Sequence, residues 1–299
     1  METIYIQHPI AESITTKMES CILALGFFDG VHIGHQGILK TAKKLAEQKQ
    51  CTFGVMTFYP HPKDILLPER KPMTYLTPLQ VKEERFAKHG VEKLFIVEFN
   101  PDFARLSPED FVEQYITELR CTHVVAGFDY HYGFKGLGNM ETLSKYGLGK
   151  FEVTTVHKVE HASEKISSTA IRELLAGGHV KLVPDYLGEF YEVRGEVKQN
   201  SLFYKNHQFI RVSIDKEYRL PKLGVYQIEV ELDGHIYQGT CHQISMHDQS
   251  SSILLKLNEC FVGTSKKWVK VKWIDYIYGK QNEAFGVNEY TDNKDEFVI

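Results

Sequence analysis

The chain has 299 residues, of which 42% are hydrophobic, so it can bury a substantial core and has room for two domains of ordinary size. Its formal net charge of −4 provides no overall attraction to nucleic acid or to an anionic membrane, so nucleic-acid binding is not expected. No apolar run reaches the ~18 residues of a membrane span, and the N-terminus lacks a basic region followed by an apolar stretch. We expect a soluble, cytoplasmic protein without membrane contact, and its oligomeric state stays open.

The five cysteines are far apart and contain no CxxC spacing, which argues against a disulfide framework and against a zinc site. We therefore assign no metal-ligating residues and expect reduced, mostly buried thiols. The cysteines are Cys21, Cys51, Cys121, Cys241 and Cys260.

Up to about residue 180, short apolar runs alternate with helical patterns. The runs CILALGFF and CTFGVMTF predict strands, each followed by a helix, over about residues 36–50 and 78–89. The runs KLFIVEF, THVVAGF and FEVTTVHKV continue the series, and Ser107-Pro108 has the cap and first-turn proline of a further helix. This order predicts an α/β domain with a parallel sheet that binds ligands at the carboxyl ends of its strands.

Beyond LLAGGHVKLVPDYLG the pattern changes to strand-like segments separated by turns. They are FYEVRGEVK, HQFIRVSI, GVYQIEVEL, HIYQGTCHQI, SSILLKL and WVKVKWIDYIY. The Asp-Gly pair in ELDGHIY is a strong hairpin signal. A small antiparallel β-barrel or sandwich is therefore predicted from about residue 185 to 280.

The segment GFFDGVHIGHQ, residues 26–36, lies between a predicted strand and a predicted helix. His32 and His35 are three residues apart at a helix start, beside unpaired backbone N–H groups and the positive end of the helix dipole. Gly30 and Gly34 would let the backbone approach a nucleotide closely. A glycine-rich turn with two solvated histidines is the alternative, but the strand–loop–helix setting favours a phosphate site.

Three further segments carry candidate ligand groups. In ISSTAIR, Ser168 or Thr169 can cap a helix and donate to phosphate, and Arg172 lies one turn further on; the alternative is an ordinary capped helix. In TFYPHP, His61 follows a predicted strand, where a proline turn is the alternative. In GFDYHYGF the aromatic residues alternate, which predicts an extended segment with one aromatic face that stacks on a flat ring or packs in the core.

Through these four segments the chain resembles the bacterial FAD synthetase family, whose bifunctional members join an FMN adenylyltransferase module to a C-terminal riboflavin kinase module. The residues Thr57–Pro62, Gly127–Phe134 and Lys165–Arg172 look like the family's TFxPHP, GxDFxFG and ISSTxIR motifs, in the same order. The resemblance implies a Rossmann-like nucleotidyltransferase domain over residues 1–184 and a riboflavin-kinase-like barrel over residues 185–299. It also implies ATP and FMN as substrates, with Mg²⁺ entering on ATP.

The resemblance also implies roles for individual residues. The catalytic residues would be His32, His35 and Arg172. The ATP-binding residues would be Gly26, Phe27, Phe28, Asp29, Gly30, Gly34, Ser167, Ser168 and Thr169. The FMN-binding residues would be Phe58, His61, Pro62, Phe128, Asp129 and Tyr130.

The second half departs from the family where a riboflavin kinase binds its nucleotide. The family's G-x-x-LGFPTAN stretch should lie between Val197 and Ile214, where this chain has QNSLFYKNHQFIRVSI. SSILLKLNE lacks the glutamate expected as catalytic base, and the usual PT-containing loop is replaced near TCHQISMHD. We therefore predict a barrel without kinase activity that serves as support, as an interaction surface or as a regulatory flavin site.

Three alternatives stay open at this point. The first is a bifunctional riboflavin kinase/FAD synthetase with an unconventional kinase site. The second is a non-catalytic flavin or nucleotide sensor. Its barrel could contact RNA through a basic strip at Lys266, Lys267, Lys270 and Lys272, although a solvated barrel face is the favoured explanation of these lysines. The third keeps the chemistry but changes the acceptor or the nucleotide donor.

Overall fold

The computed structural model describes residues 1–198, 202–204, 207–243, 252–259 and 268–279. The chain divides into two compact units. The first contains Met1–Met73 and Thr77–Glu160, and the second contains Thr74–Leu76 and the described residues from His161 onward. The predicted boundary between residues 184 and 185 stays a prediction. Within the described ranges, no helix is long and apolar enough to cross a membrane.

The first unit is built on a six-stranded parallel sheet, as the alternating pattern predicts. Its elements are β1 (Glu2–Ile6), α1 (Glu12–Thr15), β2 (Cys21–Leu25), α2 (Ile33–Lys49), β3 (Thr52–Tyr59), α3 (Pro62–Leu66), α4 (Leu79–Lys88), β4 (Lys93–Glu98), α5 (Pro108–Val112), β5 (Cys121–Gly127), α6 (Met140–Tyr146) and β6 (Glu152–Val156). The strand order is β1-β4-β3-β2-β5-β6. The sequence patterns predicted every strand of this sheet except β1.

Both faces of the sheet are covered, as the burial of β2 shows. All five residues of β2 are buried, which is typical of a central parallel strand. Leu23 and Leu25 belong to the cluster with Phe103, Phe111 and Tyr115 on one face. Their neighbours along the strand belong to a second cluster, on the face covered by α2 and α4; they are Ile22 and Ala24. The period of two along β2 therefore fixes its register between the two layers.

The strand order reverses between β2 and β5. From β2 the chain moves outward through β3 and β4, and then returns to the other side of β2 to form β5 and β6. Ligands of open α/β sheets bind outside the carboxyl ends of the strands at such a reversal. The loops that leave β2 and β5 there are the ones that carry residues 26–31 and 127–138.

The second unit contains a closed antiparallel barrel. Two short strands, β7 (Glu160–His161) and β8 (Glu164–Lys165), precede α7 (Ser168–Gly177) and α8 (Pro184–Leu187). The remaining strands are β9 (Glu192–Val197), β10 (Leu202–Tyr204), β11 (His207–Ile214), β12 (Gly224–Leu232), β13 (His235–Gln243), β14 (Ser252–Leu257) and β15 (Trp268–Tyr278). Pairing of β11 with β9 closes the ring β9-β11-β14-β13-β12-β15. All six predicted barrel strands are confirmed, and β10 adds a short strand beside β11.

The predicted Asp-Gly hairpin is also confirmed. Asp233 and Gly234 have φ angles of 51° and 78°, and Leu232 pairs directly with His235 across the turn. Two positive φ angles are what a two-residue hairpin turn of the favoured twist requires. Inside the barrel, Trp273 is fully buried and packs edge-on against Tyr226, with ring centroids 4.9 Å apart.

The sensor alternative requires a basic strip on the barrel surface. Two lysines of that strip are described, and both are paired with glutamates. Lys270 Nζ lies 2.8 Å from Glu231 Oε1, and Lys272 Nζ lies 2.9 Å from Glu229 Oε1. These cross-strand pairs between β15 and β12 neutralise the lysines locally. The other two lysines of the strip lie outside the described residues, and so do parts of the segments on which the loss of kinase activity was predicted, at residues 199–201, 205–206, 244–248 and 251.

Candidate active site

The loop between β2 and α2 has an unusual backbone. Phe28, Gly30 and Val31 have φ angles of 56°, 83° and 44°. Only glycine adopts this left-handed region without cost, and a β-branched residue such as valine is strained there. Such strain persists only where the surroundings impose it, and it concentrates at functional sites. Because the sequence predicts nucleotide binding here, we call residues 26–31 the nucleotide loop.

The nucleotide loop is held by the segment that precedes α4. The buried Asp29 carboxylate accepts the backbone N–H of Thr77 through Oδ1 at 3.1 Å. In return, the Thr77 hydroxyl accepts the backbone N–H of Gly30 at 2.8 Å. These reciprocal bonds fix both residues at the tip of the loop. Asp29, predicted as an ATP-binding residue, thus has a structural partner that the sequence did not reveal.

Two cations of α4 bind carbonyl groups of the same loop. Lys82 Nζ donates to the Phe27 carbonyl at 2.7 Å and lies 4.2 Å from the centre of the Phe27 ring. Arg85 donates to the Gly30 carbonyl at 2.6 Å. Neither residue was predicted from the sequence. A signal was present, because Lys82 lies on the same helix stripe as Leu79 and Phe86, where an apolar residue is expected.

The two predicted catalytic histidines lie together at the start of α2. His32 is the N-cap residue, and its Nδ1 accepts the backbone N–H of His35 at 3.2 Å. The two rings stack with centroids 3.5 Å apart and planes 15° apart. Since Nδ1 accepts, the neutral His32 ring carries its proton on Nε2 and has a donor there. The rings therefore lie at the positive end of a 17-residue helix, with Gly34 in its first turn.

The loop that follows β3 meets the nucleotide loop. The His61 ring packs edge-on against Phe27, with centroids 4.6 Å apart. His61 is the N-cap of α3, and its Nδ1 accepts the backbone N–H of Lys63 at 3.0 Å, with buried Pro62 at the first position. Phe58 is placed differently: it is fully buried in the core, 5.6 Å from the ring centre of Phe103. A role for Phe58 in FMN binding stays a prediction.

The segment after β5 does not form one extended aromatic face, so that prediction is wrong. Tyr130 and Tyr132 are buried, with ring centroids 6.0 Å apart, whereas Phe128 and Phe134 are about two-fifths exposed, at 43% and 40%. A turn and a short 3₁₀ helix replace the predicted alternation. Burial raises the pKa of the Tyr130 hydroxyl far above its usual range, and that hydroxyl has no hydrogen-bond partner in the described part of the chain.

Asp129 lies at the carboxyl end of β5, as expected for a group that faces a ligand. A side chain at Gly127 would place its Cβ 3.0 Å from Asp129 Oδ1, closer than side chains normally approach. Glycine at position 127 thus leaves room for the Asp129 carboxylate.

The ISSTAIR segment belongs to the second unit and forms the start of α7. The capping residue is Ser167, whose hydroxyl accepts the backbone N–H of Ala170 at 3.1 Å. This corrects the prediction that Ser168 or Thr169 is the cap. Those two residues occupy the first helical turn, and Arg172 follows Ser168 by one turn on the same face.

Replacement of Thr77 by valine tests the hydrogen bonds that hold the tip of the nucleotide loop, which we call the brace. Valine keeps the shape but removes the oxygen that accepts the Gly30 N–H, and leaving such a buried group unsatisfied costs about 1–3 kcal/mol. We expect the free energy of unfolding in urea to fall by that amount. The matched control, Thr16→Val, alters an exposed hydroxyl and should change it by less than about 0.5 kcal/mol. Equal stability of Thr77→Val and wild type would contradict the brace.

With this geometry in place, the chain can be compared with known proteins. The family model described as FAD synthetase matches residues 14–170, which include β2, the nucleotide loop, α2 and β5. The chain belongs to the FAD synthetase family. A Listeria monocytogenes protein named bifunctional riboflavin kinase/FMN adenylyltransferase is 40% identical over 283 residues, which are 93% of this chain and 90% of that protein.

Two further relatives of this FAD synthetase family member differ in their names. A Bacillus subtilis protein named bifunctional riboflavin kinase/FMN adenylyltransferase is 40% identical over 81% of this chain and 77% of its own length. A second Listeria monocytogenes protein, named FAD synthetase, is 32% identical over 70% of this chain and 81% of its own length.

A solved structure has the same architecture along almost the whole chain. It is the crystal structure of a protein described as a macrolide-efflux protein from Streptococcus pneumoniae, with a TM-score of 0.81 and 26% identity. The match covers 98% of this chain and 96% of that one. The similarity therefore extends over both units of this FAD synthetase family member, and the efflux description belongs to the Streptococcus protein.

Proposed function

We infer that this chain transfers the AMP moiety of ATP to the phosphate of FMN, which gives FAD and pyrophosphate. Family membership supports the activity, and the nucleotide loop is the observation that carries it. This loop has a strained backbone that is braced by hydrogen bonds, and it lies at the sheet reversal where such folds bind ligands. Two stacked histidines follow it at the start of α2.

The reaction needs positioning and charge neutralisation more than it needs a base. An oxygen of the FMN phosphate attacks the α-phosphorus of ATP; the new P–O bond forms as the bond to the bridging oxygen breaks, and pyrophosphate leaves. The attacking phosphate is already an anion, so no proton must be removed from it. Mg²⁺ enters as part of the MgATP substrate and shares the charge of the phosphates.

We assign phosphate-binding roles to residues at two helix starts, one in each unit. His32 and His35 would donate to the α-phosphate and to the leaving group, beside the backbone of Gly26, Phe27, Phe28, Asp29, Gly30 and Gly34. Ser167, Ser168, Thr169 and Arg172 would hold the β- and γ-phosphates at the start of α7. The dipoles of α2, which has 17 residues, and of α7, which has 10, favour negative charge at these ends.

We assign FMN to the carboxyl ends of β3 and β5. His61 and Pro62 start α3 there, and the His61 ring already contacts the nucleotide loop through Phe27. On β5 the exposed Phe128 ring can cover one face of the isoalloxazine, and Asp129 lies beside it. The buried Tyr130 hydroxyl is a hydrogen-bond donor that a flavin oxygen would satisfy.

The proposal is tested by chromatographic analysis of the purified protein with MgATP and FMN. We expect FAD and pyrophosphate in equal amounts. Absence of FAD, with ATP intact, would contradict the proposed activity and would favour the sensor alternative or another acceptor.

Riboflavin kinase activity is the second candidate function. It is favoured by the names of the relatives that are 40% identical, which include riboflavin kinase, and by the closed barrel in the second unit. Against it is the missing kinase signature between Val197 and Ile214. Riboflavin with MgATP is the direct test. We expect neither FMN nor FAD, and the appearance of either product would make the chain bifunctional.

A further inference from the structure

Lys82 is a buried cation that the proposed chemistry does not use. Its side chain is 2% exposed and lies beneath the nucleotide loop, on the buried stripe of α4. Burial lowers its pKa to about 8, and the negative charge of Asp29 opposes that shift. An apolar residue would be more stable at such a position, because burying an ammonium group costs several kcal/mol of desolvation.

Satisfying the Phe27 carbonyl does not require this cation. The Thr57 hydroxyl already donates to the same oxygen, at 2.9 Å. A methionine at position 82 would fill a similar volume without the cost of burying a charge. Packing therefore does not explain the charge. The contacts of Nζ, with both the carbonyl and the ring face of Phe27, indicate that the charge holds Phe27 in place.

We propose that Lys82 is a positioning residue for the adenylyl transfer, which fixes Phe27 and thereby the nucleotide loop in its ATP-binding conformation. The proposal rests on the function proposed above. Phe27 precedes the strained residues of the loop, and its ring packs on His61 from the β3 side. One buried ammonium group thus links the segment assigned to ATP with the segment assigned to FMN.

Loss of the Lys82 proton should stabilise the fold but weaken ATP binding. The folded chain holds this proton less tightly than the unfolded chain, so a rise in pH through about 8 stabilises the fold with respect to Lys82. The same rise removes the positive charge from the Phe27 carbonyl and should weaken ATP binding. In the described part of the chain, the charged or titratable groups around Lys82 and Phe27 include Asp29 in the loop, Arg85 on α4 and His61, whose ring packs on Phe27.

The test compares Lys82→Met and Lys82→Gln with wild type and with Lys88→Met, which changes an exposed lysine of the same helix. Thermal unfolding confirms that each variant is folded, and steady-state FAD formation gives kcat and the KM values for ATP and FMN. We expect kcat/KM for ATP to fall about 10–100-fold in both Lys82 variants, since a misplaced loop loses donors to the phosphates. Lys88→Met should match wild type.

The outcomes separate the inference from the proposed function. A wild-type protein that makes no FAD contradicts the function itself. An active wild type, with folded Lys82 variants whose kcat and KM for ATP lie within about twofold of it, overturns the positioning role. A purely structural lysine would lower the unfolding temperature and leave these constants unchanged.

A measurement on wild type covers the case in which neither variant folds. The affinity for ATP is measured by calorimetry at a series of pH values. We expect it to fall about tenfold between about pH 7 and pH 9.5, as Lys82 loses its proton. A flat profile overturns the proposal.

Discussion

Replacement of His35 by alanine is expected to lower kcat for FAD formation by about 10²–10³, the usual effect of removing one donor from a transition-state site. The ring is the more exposed partner of the stacked pair at the start of α2, where negative charge would develop in the proposed reaction as pyrophosphate leaves. Glutamine at position 35 restores an N–H donor near the Nε2 position, so His35→Gln should recover part of the loss. The value of kcat is measured from steady-state FAD formation by wild type, His35→Ala and His35→Gln.

The matched control for His35 is His235→Ala, which removes an exposed histidine from the β12–β13 hairpin. It should retain wild-type kcat. Full activity in His35→Ala would remove His35 from the catalytic assignment. A loss that disappears when kcat is corrected for the folded fraction would assign His35 to the stability of the loop.

Replacement of Arg172 by methionine is expected to reduce kcat/KM for MgATP by about 10², because a planar guanidinium is suited to bidentate binding of phosphate. The Arg172→Lys variant keeps the charge but not the fork geometry, and it should fall between methionine and wild type. The KM for FMN should change little, since Arg172 is assigned to the β- and γ-phosphates.

Arg105→Met provides the control for Arg172, since the Arg105 side chain is 73% exposed and pairs with the similarly exposed Asp102 on its own turn. It should have wild-type constants. Equal kcat/KM values for MgATP in Arg172→Met and wild type would contradict the phosphate role of α7.

The sheet and the barrel strands could be predicted because their signals are local. Continuous apolar runs such as β2 are typical of strands buried on both faces, and the Asp-Gly turn at residues 233–234 needs only its own dihedral angles. The strand–loop–helix setting of residues 26–36 is likewise contained in a short segment. Edge strand β1 was missed because only its last residue is buried.

The partners of the nucleotide loop could not be predicted in the same way. Thr77 is 47 residues from Gly30, and Lys82 is 55 residues from Phe27, so only the folded chain brings them together. The cap of α7 shows the same limit at short range, because Ser167, Ser168 and Thr169 are all good capping residues and the backbone decides among them.

Burial was the other property that the sequence left open. Tyr130 and Tyr132 alternate with polar residues as an exposed strand would, yet both rings pack inward because the segment turns after β5. The aromatic residues that stay exposed are Phe128 and Phe134.

Attack of the FMN phosphate on the α-phosphorus of ATP is tested by following that phosphorus atom. The protein is incubated with FMN and MgATP that carries a label at the α-phosphorus. We expect one label in each FAD formed, and unlabelled pyrophosphate released in equal amount. Label that stays in ATP, or that leaves as free AMP without FAD, would contradict this reaction.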